Sequence, residues 1–111
     1  INKNSYLLEN MVGIKLHQQF QDRLYYFKSA KTGIDIDFYI PDQHTAIQVA
    51  YSIEEEAVRK REIDNLVKLS RSFEEAQRFI IVTLEEEETL EIAQTKIEVI
   101  PLYKYLVMHD C

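Results

Sequence analysis

The sequence predicts an α/β domain with a central mixed sheet between helices. Residues 4–20 repeat apolar side chains at helical spacing, and residues 23–51 contain three short apolar segments separated by turns. Residues 78–84 form a compact apolar run behind a second helical pattern. Apolar periods of 3.6 and 2 residues distinguish helices from strands. The resulting order of helix, three strands, helix and strand is an αβββαβ core.

The first predicted helix covers residues 4–20. Asn4 or Ser5 can cap its start, because their side-chain oxygens accept hydrogen bonds from free backbone N–H groups. Gly13 inside the helix costs roughly 1 kcal/mol relative to alanine, which indicates a close packing contact at that position. The expected buried stripe consists of Leu7, Leu8, Met11, Val12, Leu16 and Phe20.

Three strands follow, at residues 23–28, 34–40 and 45–51. The short turns between them predict an antiparallel meander. Side chains alternate between the two faces of a strand, and this rule assigns the residues of the second strand. It places Ile34, Ile36, Phe38 and Ile40 on one face, and Asp35, Asp37 and Tyr39 on the other.

A second helix is predicted after the meander. Ser52 and Glu55 have the spacing of a capping box, so the helix is expected to begin there and to run to about Ser72. Its basic residues 59–61 are expected on the exposed face. Its expected buried stripe consists of Val58, Ile63, Leu66, Val67 and Phe73.

The last third of the chain is predicted to complete the sheet. The apolar strand at residues 78–84 follows a helix, which indicates a crossover and parallel pairing with an earlier strand. Residues 85–96 open with four glutamates, which are expected to form a solvated face, in a loop or short helix. Residues 96–100 predict a last strand. Residues 101–108 predict a terminal helix with Pro101 in its first turn.

Length and composition indicate one domain, residues 1–111. The chain is 46% apolar and 29% charged, which is typical of a globular protein with a single core. Its net charge of −6 weighs against a protein that binds nucleic acid by itself, because phosphate binding usually needs a basic surface.

The cysteine content and the absence of a signal peptide indicate the cellular compartment of the protein. Cys111 is the single cysteine and can form no disulfide within the chain, as is usual in a reducing compartment. We found no signal peptide and no apolar run near 18 residues, so a cytoplasmic protein without membrane contact is expected. The sequence starts at Ile1 rather than methionine, and we expect it to be a fragment of a longer protein.

The hairpin at residues 33–52 has part of the pattern of a metal-dependent nuclease. Such a site needs an acid on one strand, and an acid and a lysine two residues apart on the next strand. The carboxylates hold Mg²⁺, and the lysine helps to activate water. Here Asp37 supplies the first acid, whereas Gln48 and Ala50 stand at the other two positions.

Four segments together resemble a known family. They are YLLENMVGIKL, GIDIDFYI, IQVAYSIEEE and IEVIPLYKYLV, and they extend through most of the chain. Their order is similar to that in the C-terminal DUF4143 domain of AAA-type ATPases, a member of the restriction-endonuclease-like, PD-(D/E)XK superfamily. This resemblance implies a restriction-endonuclease-like αβββαβ fold and an ATP-binding region elsewhere in the full protein.

The resemblance also assigns the site positions. Glu9 matches the acid of the first helix, and Asp37 matches the catalytic aspartate. Gln48 occupies the position of the second acid and Ala50 that of the lysine. The amide oxygen of Gln48 is still a potential metal ligand, but Ala50 can carry no charge. The resemblance therefore implies a vestigial site in a nuclease fold that has lost its chemistry.

Simpler structural roles remain open for these residues. Asp37 fits a polar residue on the solvent face of an edge strand, and Glu9 fits an exposed helical acid. Asp35 fits an acid on the strand, and Gln48 a hydrogen-bonded residue of the sheet. The histidines His17, His44 and His109 share no ligand spacing and are expected at the surface.

Three hypotheses of function follow. The first is a non-catalytic interaction domain whose partners are the ATPase core of its own chain, a second copy of itself or another protein. It needs no cofactor of its own, and ATP would bind to the missing region. The second is a Mg²⁺-dependent DNA nuclease that uses a migrated basic residue, Arg59, Lys60 or Arg61, in place of the lysine. The third is a module that binds nucleic acid without cutting it, on the basic face at residues 59–61.

Overall fold

The fold is seen in a computed structural model that describes residues 3–108, so His109 and Cys111 lie outside the described residues. One six-stranded sheet separates two helical layers. Helices α1 and α3 pack on one face and α2 packs on the other. The elements are α1 (Lys3–Phe20), β1 (Tyr25–Ser29), β2 (Ile34–Ile40), β3 (Thr45–Val49), α2 (Glu56–Ser72), β4 (Arg78–Thr83), β5 (Glu88–Ile92), β6 (Thr95–Pro101) and α3 (Leu102–Met108).

The sheet is mixed, with the strand order β1-β2-β3-β4-β6-β5. Strands β1, β2 and β3 form the predicted antiparallel meander. Strand β4 pairs parallel to β3 after the α2 crossover, and β6 pairs parallel to β4. The predicted α/β fold with its αβββαβ core is therefore confirmed. None of the helices within residues 3–108 is long and apolar enough to cross a bilayer.

Helix α1 covers the sheet with one narrow stripe, Leu8, Val12, Leu16 and Phe20. The predicted burial of Leu7 and Met11 is wrong, because these side chains are 50% and 51% exposed. Each directly precedes a buried residue and points about 100° away from it around the helix. The close contact at Gly13 is confirmed, since a Cβ there would lie 3.2 Å from Cζ of Phe38.

Helix α2 begins at Glu56, so the capping box predicted at Ser52 and Glu55 is wrong. The Ser52 hydroxyl accepts a hydrogen bond from the Glu54 N–H within an extended loop. This loop is held by Ile53, which is fully buried and donates its N–H to the side chain of Glu86 at 2.8 Å. Burial of Ile53 against the sheet outweighs the local helix signal.

The prediction of a loop or short helix at residues 85–96 is also wrong, because this segment contains the edge strand β5. It pairs antiparallel with β6 from Glu88 to Ile92. Ala93 and Gln94 form a two-residue turn with φ values of 50° and 70°. Two positive φ values are required by the tight turn that best matches strand twist. The tertiary pairing with β6 supplies the strand signal that the glutamate-rich sequence lacks.

Strand β2 does not follow strict alternation. Ile34 and Ile36 belong to the core beside α2, whereas Phe38 and Ile40 belong to the core beside α1. The pairing with β1 shifts register between these two pairs of residues. A β-bulge of this kind inserts one extra residue and redirects the side chains beyond it. The single apolar face predicted for β2 is therefore wrong, and the irregularity falls at Asp37.

Candidate active-site cavity

Strands β2 and β3 separate next to Asp37, and the side chain of Gln48 bridges the opening. Main-chain pairing runs from Ile40 and Thr45 to Phe38 and Ile47. Beyond it, Oε1 of Gln48 accepts the N–H of Asp37 at 2.8 Å. Nε2 of Gln48 donates to the carbonyl oxygen of Asp35 at 2.9 Å. Gln48 is 1% exposed, so its amide replaces two backbone groups in the ladder.

The carboxyl group of Asp37 closes the other side of the same opening. Its Oδ2 accepts the N–H of Val49 at 2.7 Å. The side chain is half-buried at the point where the bulge redirects β2. Gln48 and Asp37 thus hold the two strands apart at a fixed spacing, with Asp37 facing the space between α1 and α2.

A cavity of about 640 Å³ opens at this position, a size common for small-molecule sites. Its walls come from α1, β2, the end of β3, the loop that follows β3, and α2. The lining residues are Ser5, Tyr6, Glu9, Asp35, Asp37, Val49, Ala50, Ser52, Glu54, Glu55, Val58, Arg61, Glu62 and Asn65. Six of these residues are acids and one is basic, so the cavity is strongly acidic.

Burial in this acidic cavity shifts two carboxyl groups. Burial raises the pKa of Asp37 from 3.8 to about 8, against the lowering effect of the Val49 N–H. The carboxylates of Glu9 and Glu62 raise it further, and Glu9 also contacts Asp37 through a side-chain hydrogen bond. Burial likewise raises the pKa of Glu62 from 4.5 to about 7. At neutral pH Asp37 is therefore mostly protonated, and Glu62 is divided between both forms.

Ala50, the residue predicted to stand at the lysine position of the nuclease pattern, lies at the cavity wall. Ala50 is 2% exposed, and its N–H donates to the carbonyl oxygen of Val82 at 3.0 Å. The backbone at position 50 is thus fixed against β4 just beyond the end of β3. Ala50 lines the cavity and belongs to the core beside α2, and its methyl group brings neither charge nor a hydrogen bond.

The three basic residues proposed as replacements for that lysine lie in different places. Arg59 makes a two-bond ion pair with Glu88 at 2.8 and 3.0 Å. Lys60 bonds to Asp64 one turn along the helix at 2.7 Å. Arg61 alone among the three lines the cavity, where its Nε lies 3.8 Å from Oε1 of Glu62.

Two polar residues of α2 at the cavity were missed in the sequence. Glu62 is 7% exposed and lies among the buried residues of the helix. The signal was present, because Val58, Glu62 and Leu66 follow one another at four-residue steps on one helical face. Asn65 accepts the N–H of Asp35 through its Oδ1 at 2.8 Å. It thereby attaches α2 to the start of β2.

The remaining polar candidates lie away from the cavity. His17 bonds to the hydroxyl of Tyr26 at 2.8 Å, and His44 occupies the turn before β3. Both histidines are exposed, as predicted. The prediction that the glutamates at 85–88 form a solvated face is partly wrong. Glu86 accepts the N–H of Ile53, and Glu88 pairs with Arg59.

The donor set does not match a metal site. Mg²⁺ and Ca²⁺ require several oxygens within about 2.0–2.6 Å of one point. Within residues 3–108, no group of three or more His, Cys, Asp or Glu side chains is arranged to hold a metal ion. Oε1 of Gln48 and Oδ2 of Asp37 each accept a backbone N–H as well. No metal-dependent step is therefore derived for this cavity.

The αβββαβ core, with a mixed sheet between helices, is consistent with the restriction-endonuclease-like class of folds. A family model described as restriction endonuclease, Mrr_cat_2, matches residues 3–105. The chain belongs to this restriction endonuclease family. No curated protein matches the chain, and no solved structure matches it. The predicted membership of the restriction-endonuclease-like superfamily is therefore confirmed.

Proposed function

We propose that this chain is a non-catalytic, nuclease-like interaction domain of a larger ATP-binding protein. In this proposal the restriction-endonuclease-like scaffold is kept, the cleavage chemistry is lost, and the cavity serves a binding role. The observation that carries the proposal is the presence of Ala50 at the lysine position, fixed by the Val82 carbonyl and unable to carry charge.

Two further features support the loss of cleavage. Removing one preorganised stabilising group typically lowers a reaction rate by about 10²–10³. Besides the lysine, the second carboxylate is absent here, and the amide of Gln48 in its place is used to join β3 to β2. Asp37 is largely neutral at pH 7, because its pKa is about 8. The amide of Gln48 brings no negative charge, and burial disfavours the charged form of Asp37.

The link to an ATP-binding protein rests on the sequence resemblance to DUF4143 domains of AAA-type ATPases. On this basis we propose that the first partner is the ATPase core of the same polypeptide. The protein would act in the cytoplasm, and ATP would bind outside this domain. The coding sequence upstream of Ile1 tests this directly. A phosphate-binding loop of the form G-x-x-x-x-G-K-[ST] is expected there, and an upstream region without one would contradict the link.

A cleavage assay tests the loss of catalysis. The 111-residue chain is incubated with supercoiled plasmid and with single-stranded DNA, in Mg²⁺ and separately in Mn²⁺. We expect no cleavage by the wild type and none by Asp37→Ala. Cleavage by the wild type that disappears in Asp37→Ala would overturn the proposal. Cleavage of equal size in both proteins would identify a contaminating nuclease.

An active nuclease is the second candidate, and it is favoured by one observation. Arg61 reaches the cavity, whereas Lys60 on the same helix points away and binds Asp64. If Arg61 replaced the lysine, Arg61→Ala would abolish cleavage and Lys60→Ala would not. A salt-sensitive mobility shift without cleavage would instead favour the third function, binding of nucleic acid without cutting.

A further inference from the structure

Glu62 is a buried carboxylate that lacks a hydrogen-bond donor. Its side chain is 10% exposed and faces the cavity. None of the described residues donates a hydrogen bond to it. The nearest cation is its sequence neighbour Arg61, whose Nε lies 3.8 Å away and whose side chain is 64% exposed. Neither oxygen of Glu62 is fully enclosed without a partner, so the carboxyl group is reached from the cavity, where a cationic donor would stabilise its charge.

The spread of the acids suits an extended organic cation. Glu9, Asp37 and Glu62 reach the cavity from α1, β2 and α2. The charges of Glu9 and Glu62 raise the pKa of Asp37, and the charge of Glu9 also raises that of Glu62. They do not converge on a single point as metal ligands must. A guanidinium group carries five N–H donors in a planar fork and is able to serve carboxylates on different sides.

The rest of the wall suits the stem of such a side chain. Ala50 and Val58 provide apolar contact beside the acids. Tyr6 lines the same cavity and is 58% exposed, so its ring is available to a cation. Arginine buries its methylene groups along apolar surface and stacks on aromatic rings.

We propose that the cavity receives an arginine side chain of a polypeptide partner, with its guanidinium beside Glu62 and its stem against Ala50 and Val58. The acidic chain, with its net charge of −6, complements such a basic partner. The inference rests on the proposed function, because it names the chemistry of the partner of the interaction domain. Burial raises the pKa of Glu62 in the free protein, and a bound cation is expected to lower it again.

Fluorescence anisotropy tests the proposal with the full chain and a labelled dodecapeptide, four repeats of arginine-glycine-serine. The matched probe replaces each arginine with citrulline, which has nearly the same shape and no charge. At 150 mM salt we expect the arginine peptide to bind and the citrulline peptide not to bind. Glu62→Gln should weaken binding at least tenfold, because a buried charge pair loses one partner.

Two further variants serve as a control and as a competitor within the cavity. Glu74→Gln removes one charge from an exposed turn outside the cavity and should change affinity less than twofold. Ala50→Lys supplies a cation within the chain and should reduce peptide affinity at least tenfold, with the fold checked by circular dichroism. If Ala50→Lys proves unfolded, the isosteric Glu62→Gln decides alone.

Three results would overturn the proposal. They are no binding of the arginine peptide, equal loss in Glu62→Gln and Glu74→Gln, and Glu62-dependent binding of spermidine or Mn²⁺ in preference to the peptide. Failure of this inference is separate from failure of the proposed function. DNA cleavage by the wild type contradicts the proposed function, whereas absent peptide binding without cleavage contradicts only the arginine partner.

Discussion

Two hairpins of the sheet, β5–β6 and β2–β3, are closed in opposite ways. Hairpin β5–β6 pairs regularly from Glu88 and Val99 to Ile92 and Thr95, and a two-residue turn closes it. Hairpin β2–β3 pairs from its turn only as far as Phe38 and Ile47, and then its strands separate. In β5–β6, at the edge of the sheet, backbone groups pair with one another along the hairpin. In β2–β3, nearer the centre, side chains supply hydrogen bonds where the backbone pairing ends.

This difference shows which part of each hairpin is energetically unfavourable. In β5–β6 the cost lies at the turn, because Ala93 and Gln94 adopt positive φ values that disfavour residues with a Cβ. In β2–β3 it lies where the strands separate, because buried amide and carboxyl groups replace backbone partners. The turn at Ala93 and Gln94 does not line the cavity, whereas the separation of β2 from β3 lies beside the space that Asp37 faces. The following predictions test this comparison.

Gln48→Leu should have the largest effect. It leaves the N–H of Asp37 and the carbonyl of Asp35 without their partner. Each unsatisfied buried group costs about 1–3 kcal/mol, so we expect a loss of about 3 kcal/mol in the free energy of unfolding. Urea denaturation measures it. Thr89→Val, an exposed change on β5, is the control and should stay within about 0.5 kcal/mol. Similar losses in both variants would contradict the bridging role of Gln48.

Stability should fall as pH rises from 5 to 8. The folded pKa of Asp37 is about 8 against an ordinary value of 3.8, so the folded state binds more protons than the unfolded state within this interval. The stabilisation is complete below the ordinary value and is lost as pH passes through about 8. Glu62 acts in the same direction from 4.5 to about 7. The free energy of unfolding is therefore expected to fall steadily across this interval.

Thermal unfolding at several pH values checks this prediction. The scan starts at pH 5 because arginine partners lower the pKa of Glu88 and Glu98, which therefore lose their contribution only in more acidic solution. Asp37→Asn retains an acceptor for the Val49 N–H and should flatten the profile. A wild-type melting temperature that rises from pH 5 to 8 would contradict the protonated state of Asp37.

The turn of the edge hairpin should accept improvement. Ala93→Asn with Gln94→Gly places residues that tolerate positive φ at both central positions. We expect about 1 kcal/mol of added stability, measured by urea denaturation. The binding of the arginine peptide should not change, because this turn does not line the cavity. A loss of stability would contradict this prediction. It would show that contacts of Ala93 and Gln94 stabilise the protein more than the removal of their backbone strain does.

The smallest effect is expected at the ion pair between α2 and β5. Arg59→Gln removes the two bonds to Glu88, and both side chains are about one-third exposed, at 34% and 37%. Solvent screening limits such a pair to about 0.5–1 kcal/mol. The loss should shrink in 1 M salt because the charges are screened. A loss as large as that of Gln48→Leu would mean that the edge hairpin depends on α2 as strongly as the central hairpin depends on its side-chain bridge.

Much of the fold was predictable because periodicity reports burial. The bounds of α1, β2 and β4 agree with the sequence patterns to within one or two residues. The failures occur where tertiary contacts overrule local signals. Burial of Ile53 delays the start of α2, and pairing with β6 makes a strand of Glu88–Ile92. The bulge at Asp37 changes faces in mid-strand, which no two-residue period can show.

The site was predictable only in part. The resemblance placed Glu9, Asp37 and Ala50, and the structure brings all three to one cavity. It also indicated Gln48 as a ligand position, whereas the structure uses that amide within the sheet. Glu62 was missed because a glutamate on a helix is usually exposed, although its four-residue spacing from Val58 and Leu66 places it on the apolar face of α2.

The bridge made by Gln48 has a consequence for the kinetics of binding. Because the opening between β2 and β3 is held by bonds within the chain, it exists before any ligand arrives. Binding then requires no opening step, and the association rate depends on diffusion and charge attraction. For an acidic entrance and a basic partner, we expect rates above the usual 10⁵–10⁷ M⁻¹s⁻¹, about tenfold faster at low salt than at physiological salt. Differences in affinity between partners would then arise from their dissociation rates rather than from their association rates.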